Sequence, residues 1–181
     1  YFCMRTAPMR RAISALLIAI AAAFAVSACG GGDDAAPPTK AEFKQQYTAL
    51  AKELGVVGVA VGKAVNESAG KSNKELEKRF KEVAEQTSAV AAKFDDVTPP
   101  DDPKIEAQLA KLVAGLNVAA DDLTAISKAA GKKDLKGAGE AAGKLTRDNA
   151  GVAGPKAELD VLVLGVKPAA PQTTTTTTKQ K

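Results

Sequence analysis

Few residues in this chain are equipped to do chemistry. No histidine occurs among its 181 residues, so no imidazole is present to act as a general base or metal ligand. The two cysteines stand at positions 3 and 29, and the two methionines at 4 and 9. Beyond residue 29 the chain therefore carries no thiol, thioether or imidazole. Zinc, copper, haem and iron–sulfur centres built from one chain need such ligands and are excluded there. A bound metal would have to be an oxygen-ligand cation. Asp95, Asp96, Asp101 and Asp102 cluster around Pro99-Pro100, but their spacing departs from that of a calcium loop. They read as solvated turn residues, with Asp102 as a helix cap. No serine has a histidine to activate it, and no glycine-rich phosphate cradle follows a strand. The expectation is a non-catalytic protein with no cofactor and no metal site.

Cys29 is the exception. Val26-Ser27-Ala28 precede it, and Gly30-Gly31-Gly32-Asp33-Asp34 follow it. Upstream lie Arg5, Arg10 and Arg11, then an apolar stretch from Ala12 to Val26. Cationic, then apolar, then small is the order of an export signal. About 15 apolar residues are short of the roughly 20 that span a bilayer. The segment resembles the signal peptide and lipobox of bacterial lipoproteins. In that family the cysteine receives a diacylglycerol on its sulfur, and the residues before it are removed. The resemblance implies a signal peptide over 1–28, lipid attachment at Cys29, and a protein held on the outer, extracytoplasmic face of the cell membrane. An uncleaved anchor or an ordinary secretory signal is the alternative. Arg10-Arg11 invites a twin-arginine reading, but the Ala-Ile-Ser that follows does not resemble that motif. Met4 and Met9 are both candidate starts. Loss of the leader removes three arginines and no acids, lowering the net charge from +4 to +1. The basic balance is then no argument for a nucleic-acid partner.

What must be positioned beyond the anchor is helical. Residues 29–38 read as a flexible tether, rich in Gly and closed by Pro37-Pro38. Thr39 and Glu42 have the spacing of a capping box, as do Ser72 and Glu75. Behind the first, apolar residues recur at helical spacing through Phe43, Tyr47, Leu50, Leu54, Val57, Val61 and Val65. The second helix steps through Leu76, Phe80, Val83, Thr87, Val90 and Phe94, and Pro99-Pro100 stops it. Asp102-Pro103 opens a third helix, carried by Ile105, Leu109, Leu112, Leu116, Leu123 and Ile126, with Gly131 as the expected C-cap. A fourth starts near Asp134 with a weaker stripe through Leu135, Ala138, Ala142, Leu145, Asn149 and Val152. Pro155 is expected to kink or break it. The apolar run Leu159–Leu164 has the composition of a short strand but no partner, and so reads as final helical turns. The fold class expected is all-α, an up-down-up-down four-helix bundle over 39–165, with a disordered Thr-rich tail over 166–181.

Thr98-Pro99-Pro100, Asp121-Asp122-Leu123 with Ile126, Asp148, Val152 and the closing Leu162-Val163-Leu164-Gly165, taken with the lipobox, resemble uncharacterised helical-bundle lipoproteins of high-GC Gram-positive bacteria. The likeness spans residues 4–165 and implies a small helical domain without an assigned activity. Gly154-Pro155 departs from the unbroken helix expected there.

Gly55, Gly58 and Gly62 fall at three- and four-residue spacing in a segment apolar nearly all round. Small residues so placed let a neighbouring backbone approach closely, and tight packing at the bundle centre is the preferred reading. They could instead form a groove for an acyl chain or another apolar ligand. Asp121 and Asp122 point about 100° apart on a helix and are expected to be exposed or to flank the seam. The lysines and glutamates over 71–85 read as a solvated face. The functional expectation is a membrane-anchored module that binds an envelope protein or organises the envelope. The alternative is a carrier of a small apolar ligand or lipid. Replacing Cys29 with Ser is expected to abolish metabolic labelling by a radioactive fatty acid and to release the protein or leave it unprocessed. Unchanged labelling would refute the anchor.

Overall fold

The computed structural model describes residues 36–166. Cys29, the leader, most of the tether and all but the first residue of the threonine tail lie outside the described residues. Five α-helices follow in order, α1 (Lys40–Asn66), α2 (Asn73–Asp95), α3 (Pro103–Gly131), α4 (Leu135–Asp148) and α5 (Ala150–Leu159), closed by a π-helical turn (Asp160–Leu164). The architecture is all-α, with α4, α5 and the turn together forming the fourth segment of the bundle.

Helices α1 to α4 each begin where a side chain takes up orphaned backbone N–H groups. Thr39 Oγ1 accepts from the Glu42 N–H at 3.3 Å, and Glu42 Oε2 accepts from the Thr39 N–H at 2.8 Å. Ser72 and Glu75 repeat this reciprocal pair at the start of α2. Both glutamates sit below the usual carboxylate pKa, chiefly through the hydrogen bond from the capping hydroxyl. Asp102 caps α3 by accepting from the Lys104 N–H at 3.1 Å, with Pro103 at the first helical position. The same carboxylate takes the Lys40 ammonium at 2.9 Å, joining the starts of α1 and α3. Asp134 caps α4 through the Gly137 N–H at 2.9 Å.

The end of α3 differs from expectation. Gly131 is its last helical residue, and the left-handed position falls to Lys133 at φ 59°. There the Asp134 N–H reaches the Ala129 carbonyl and the Lys133 N–H reaches that of Ala130, the double bond pattern of a Schellman ending. At Gly131 a Cβ would lie 2.7 Å from the Glu77 carboxyl carbon, the end of a flexible exposed side chain that can move aside.

The core runs the length of α3. Towards one end Ile105, Leu109, Leu112 and Leu116 meet Phe43, Tyr47, Phe94 and Leu159. Towards the other, Leu123 and Ile126 meet Phe80, Val83 and Ala64. Burying each large side chain contributes roughly 1.5–3 kcal/mol. The rings of Phe43, Tyr47 and Phe94 stand in series, their centroids 6.1 and 6.2 Å apart. The segment of α1 around Gly58 is not central, as its sequence led one to expect. Val56 is 70 % exposed and Val59 58 %. α1 packs on α2 and, near its start, on the π-helical turn, but scarcely on α4.

Pro155 does not break its helix. The interruption comes earlier, at Asn149, whose carbonyl accepts from both Val152 and Ala153. Pro155 has no N–H for the carbonyl four residues back, that of Gly151. That carbonyl lies instead against Gly115 of α3. A Cβ on Gly115 would overlap the Gly151 oxygen and stand 2.6 Å from its carbonyl carbon. Close backbone approach therefore occurs at Gly115 and Gly151, not at Gly55, Gly58 and Gly62, where a Cβ would meet nothing within 4 Å.

This contrast predicts opposite signs for two identical substitutions. Gly115→Ala is expected to lower stability by about 1–3 kcal/mol, because backbone cannot move aside as a side chain does. Gly55→Ala is expected to raise it by about 0.5–1 kcal/mol through helix propensity alone. Urea unfolding of both variants measures the pair, and a stabilising Gly115→Ala would rule out the backbone contact.

Candidate functional site

Because α1 stands away from α4, a cleft opens between them, with α2 and α3 as its floor. Its volume is about 390 Å³, at the small end of the range for ligand pockets. Leu54, Val57, Val61 and Val65 of α1 form one wall. Leu145 and Thr146 of α4, Asn149 and Val152 form the other, over a floor of Thr87, Leu116, Ala119 and Leu123. Gly58 and Gly62 lie in the α1 wall, while Gly55, the third glycine of the stripe, is exposed and does not line the cleft. The absence of side chains at Gly58 and Gly62 leaves the space unfilled.

The polar atoms of the cleft are few and uncharged. Thr87, buried at the floor, donates its hydroxyl to the Val83 carbonyl at 2.8 Å. Thr146 does the same to Ala142 at 3.0 Å. Their protons are committed to their own helices, leaving oxygen lone pairs to face a ligand. Asn66 ends α1 and Asn149 separates α4 from α5, both at the exposed rim. Among the described residues neither amide makes a side-chain hydrogen bond. Asn149 was visible in sequence as the polar member of an otherwise apolar stripe. Asn66 and Thr146 gave no such signal, because the cleft joins residues about 80 positions apart.

Two polar clusters hold the walls. Asp121 is on the surface and Asp122, 3 % exposed, flanks the seam between α3 and α4, the two placements expected for the pair. Asp122 Oδ1 accepts from Lys144 Nζ at 2.7 Å, fastening α4 to α3, and Oδ2 has no partner among the described residues. Lys144 also reaches Asp148 at 3.5 Å. On the other wall, the Tyr47 hydroxyl of α1 donates to Asp160 Oδ1 at 2.7 Å, and Lys156 Nζ holds Asp160 Oδ2 at 2.6 Å. Burial first, then the bond to Asp160, pushes the Tyr47 pKa well above the ordinary phenol value. Both clusters are explained as fastenings. Among the described residues there is no group of three or more carboxylates or cysteines that could hold a metal, and no helix long and apolar enough to cross a membrane.

Lys144→Met is expected to lower the unfolding midpoint more than Asp122→Leu does, since the first strands a buried carboxylate and the second removes it. The hydrogen bond to Asp122 is the main cause that raises the Lys144 pKa. A raised lysine pKa contributes stability that is complete below the unfolded value of about 10.4 and is lost as pH rises through the folded value. The gap between wild type and Lys144→Met should therefore close at strongly alkaline pH. Thermal melts at neutral and alkaline pH check this, and a gap that persists would exclude the ion pair as its source.

No protein-family model, curated protein or solved structure matches this chain.

Proposed function

We propose that this chain is a non-catalytic, lipid-anchored protein of the extracytoplasmic membrane face that holds a small apolar ligand between α1 and α4. The single observation that carries the reading is the 390 Å³ cleft, apolar over most of its lining and without a charged side chain. An apolar occupant would remove that lining from water, which contributes about 25 cal/mol per Å² of apolar surface buried. The anchor reading rests on Cys29 and the residues around it, and would keep such a carrier beside the membrane that supplies lipid. A non-catalytic role is supported by the lack of any histidine and of any thiol beyond Cys29.

A second reading, docking of an envelope protein, draws support from Val56 and Val59 on the outer side of α1. Native mass spectrometry after mild detergent extraction separates the two. The carrier reading predicts a co-purifying lipid mass on wild type that is lost in Gly58→Leu. A Cβ at Gly58, which lines the cleft, would meet nothing within 4 Å, so the backbone tolerates a side chain there. Helical content by circular dichroism should be unchanged. A bare chain in both proteins, or the same adduct in both, refutes the carrier.

A further inference from the structure

From the polar rim of the cleft we infer the chemical class of its occupant, an amphiphile with a slender apolar body and an uncharged, oxygen-bearing head such as an alcohol or an ester. The inference rests on the carrier reading and narrows it. No lysine, arginine, aspartate or glutamate is among the described residues that line the cleft. A charged head drawn below the rim onto the apolar lining would lose water without gaining a partner, which is strongly unfavourable, and at the exposed rim it gains no countercharge. Among the charges close in sequence, Glu67 is paired with Arg79. Lys144 is bound to Asp122 and Asp148, and it faces a separate surface hollow with Lys111 and Arg147.

What the rim offers is neutral hydrogen bonding in both directions. The amides of Asn66 and Asn149 each carry two donors and a carbonyl acceptor. Neither is used within the described chain, and both sit where the cleft meets solvent. Thr146, also exposed, adds acceptor lone pairs because its proton is given to Ala142. Deeper in, Thr87 is the one polar side chain and its proton is likewise spent. An occupant thus places its head at the Asn66–Asn149 rim and its apolar body over Leu116 and Leu123. A hydroxyl or ester finds partners there, and an ammonium or a carboxylate finds no countercharge.

The test is displacement of Nile red from the purified full chain by decan-1-ol, decanoate and decylammonium at neutral pH. Decan-1-ol is expected to bind about tenfold more tightly than either ion, given the cost of burying an unpaired charge. Because ions also differ from alcohols in solubility, the rim is tested directly with Asn149→Lys. This exposed substitution should raise decanoate affinity about tenfold relative to that of decan-1-ol, because it supplies a charge-assisted bond to the carboxylate and removes a neutral amide from the alcohol. Decanoate equal to decan-1-ol on wild type, or unmoved by Asn149→Lys, overturns the uncharged-head inference and leaves the carrier reading standing. No displacement by any of the three overturns the carrier reading itself. A doubled mass in solution that falls to the monomer in Asn149→Lys assigns the cleft to a second copy and overturns both.

Discussion

The backbone of α5 lies directly on that of α3 at Gly115 and Gly151, and this contact governs the shape of the rest. Pro155 frees the Gly151 carbonyl from its own helix, and α3 receives it where no side chain intervenes. Asp122 and Lys144 hold α4 to the same helix further along. The fourth segment is thereby fastened to α3 at two levels. It is not free to swing across and close on α1. A four-helix bundle usually closes by packing its first helix against its fourth. Here that seam stays open over the C-terminal half of α1, and the cleft is what remains.

The other half of α1 is held differently. Phe43 and Tyr47 are buried in the core, and the Tyr47 hydroxyl reaches Asp160 in the π-helical turn. Beyond Leu54 the helix turns glycine-rich and loses its grip on the fourth segment. Gly58 and Gly62 add no side chain to bridge the gap. One helix thus serves as anchor at its start and as cleft wall at its end.

Neutrality of the cleft and the charge on the rest of the surface have the same origin. Lysines and acids pair with one another on outer faces, as in Lys78–Glu82 and Lys81–Glu85, where water solvates them. Such exposed pairs contribute little to stability. The lining of the hollow carries no such pair, only amides and hydroxyls, which tolerate partial burial when hydrogen-bonded.

Much of this was legible in the sequence because it depends on short-range physics. Capping pairs three residues apart, prolines after α2 and apolar steps of three and four located the helices, since each of those signals acts within one or two turns. Burial of Phe80, Val83, Thr87 and Phe94 followed from the same periodicity. Contacts between residues far apart in sequence were another matter. Gly55, Gly58 and Gly62 looked like the site of close helix approach, and Gly115 and Gly151 had no local mark to distinguish them. Pro155 looked like a break because its missing N–H is a local fact, whereas the helix that accepts its orphaned carbonyl is a distant one. Asp122 could be placed on the surface or beside the seam, but its partner Lys144, 22 positions away, had no local mark. By itself the sequence determined helices, caps and the chemically quiet side-chain inventory, all properties of neighbours along the chain. Only the tertiary structure decided where backbones touch and where a seam stays open, because those depend on which glycine faces which helix across the bundle.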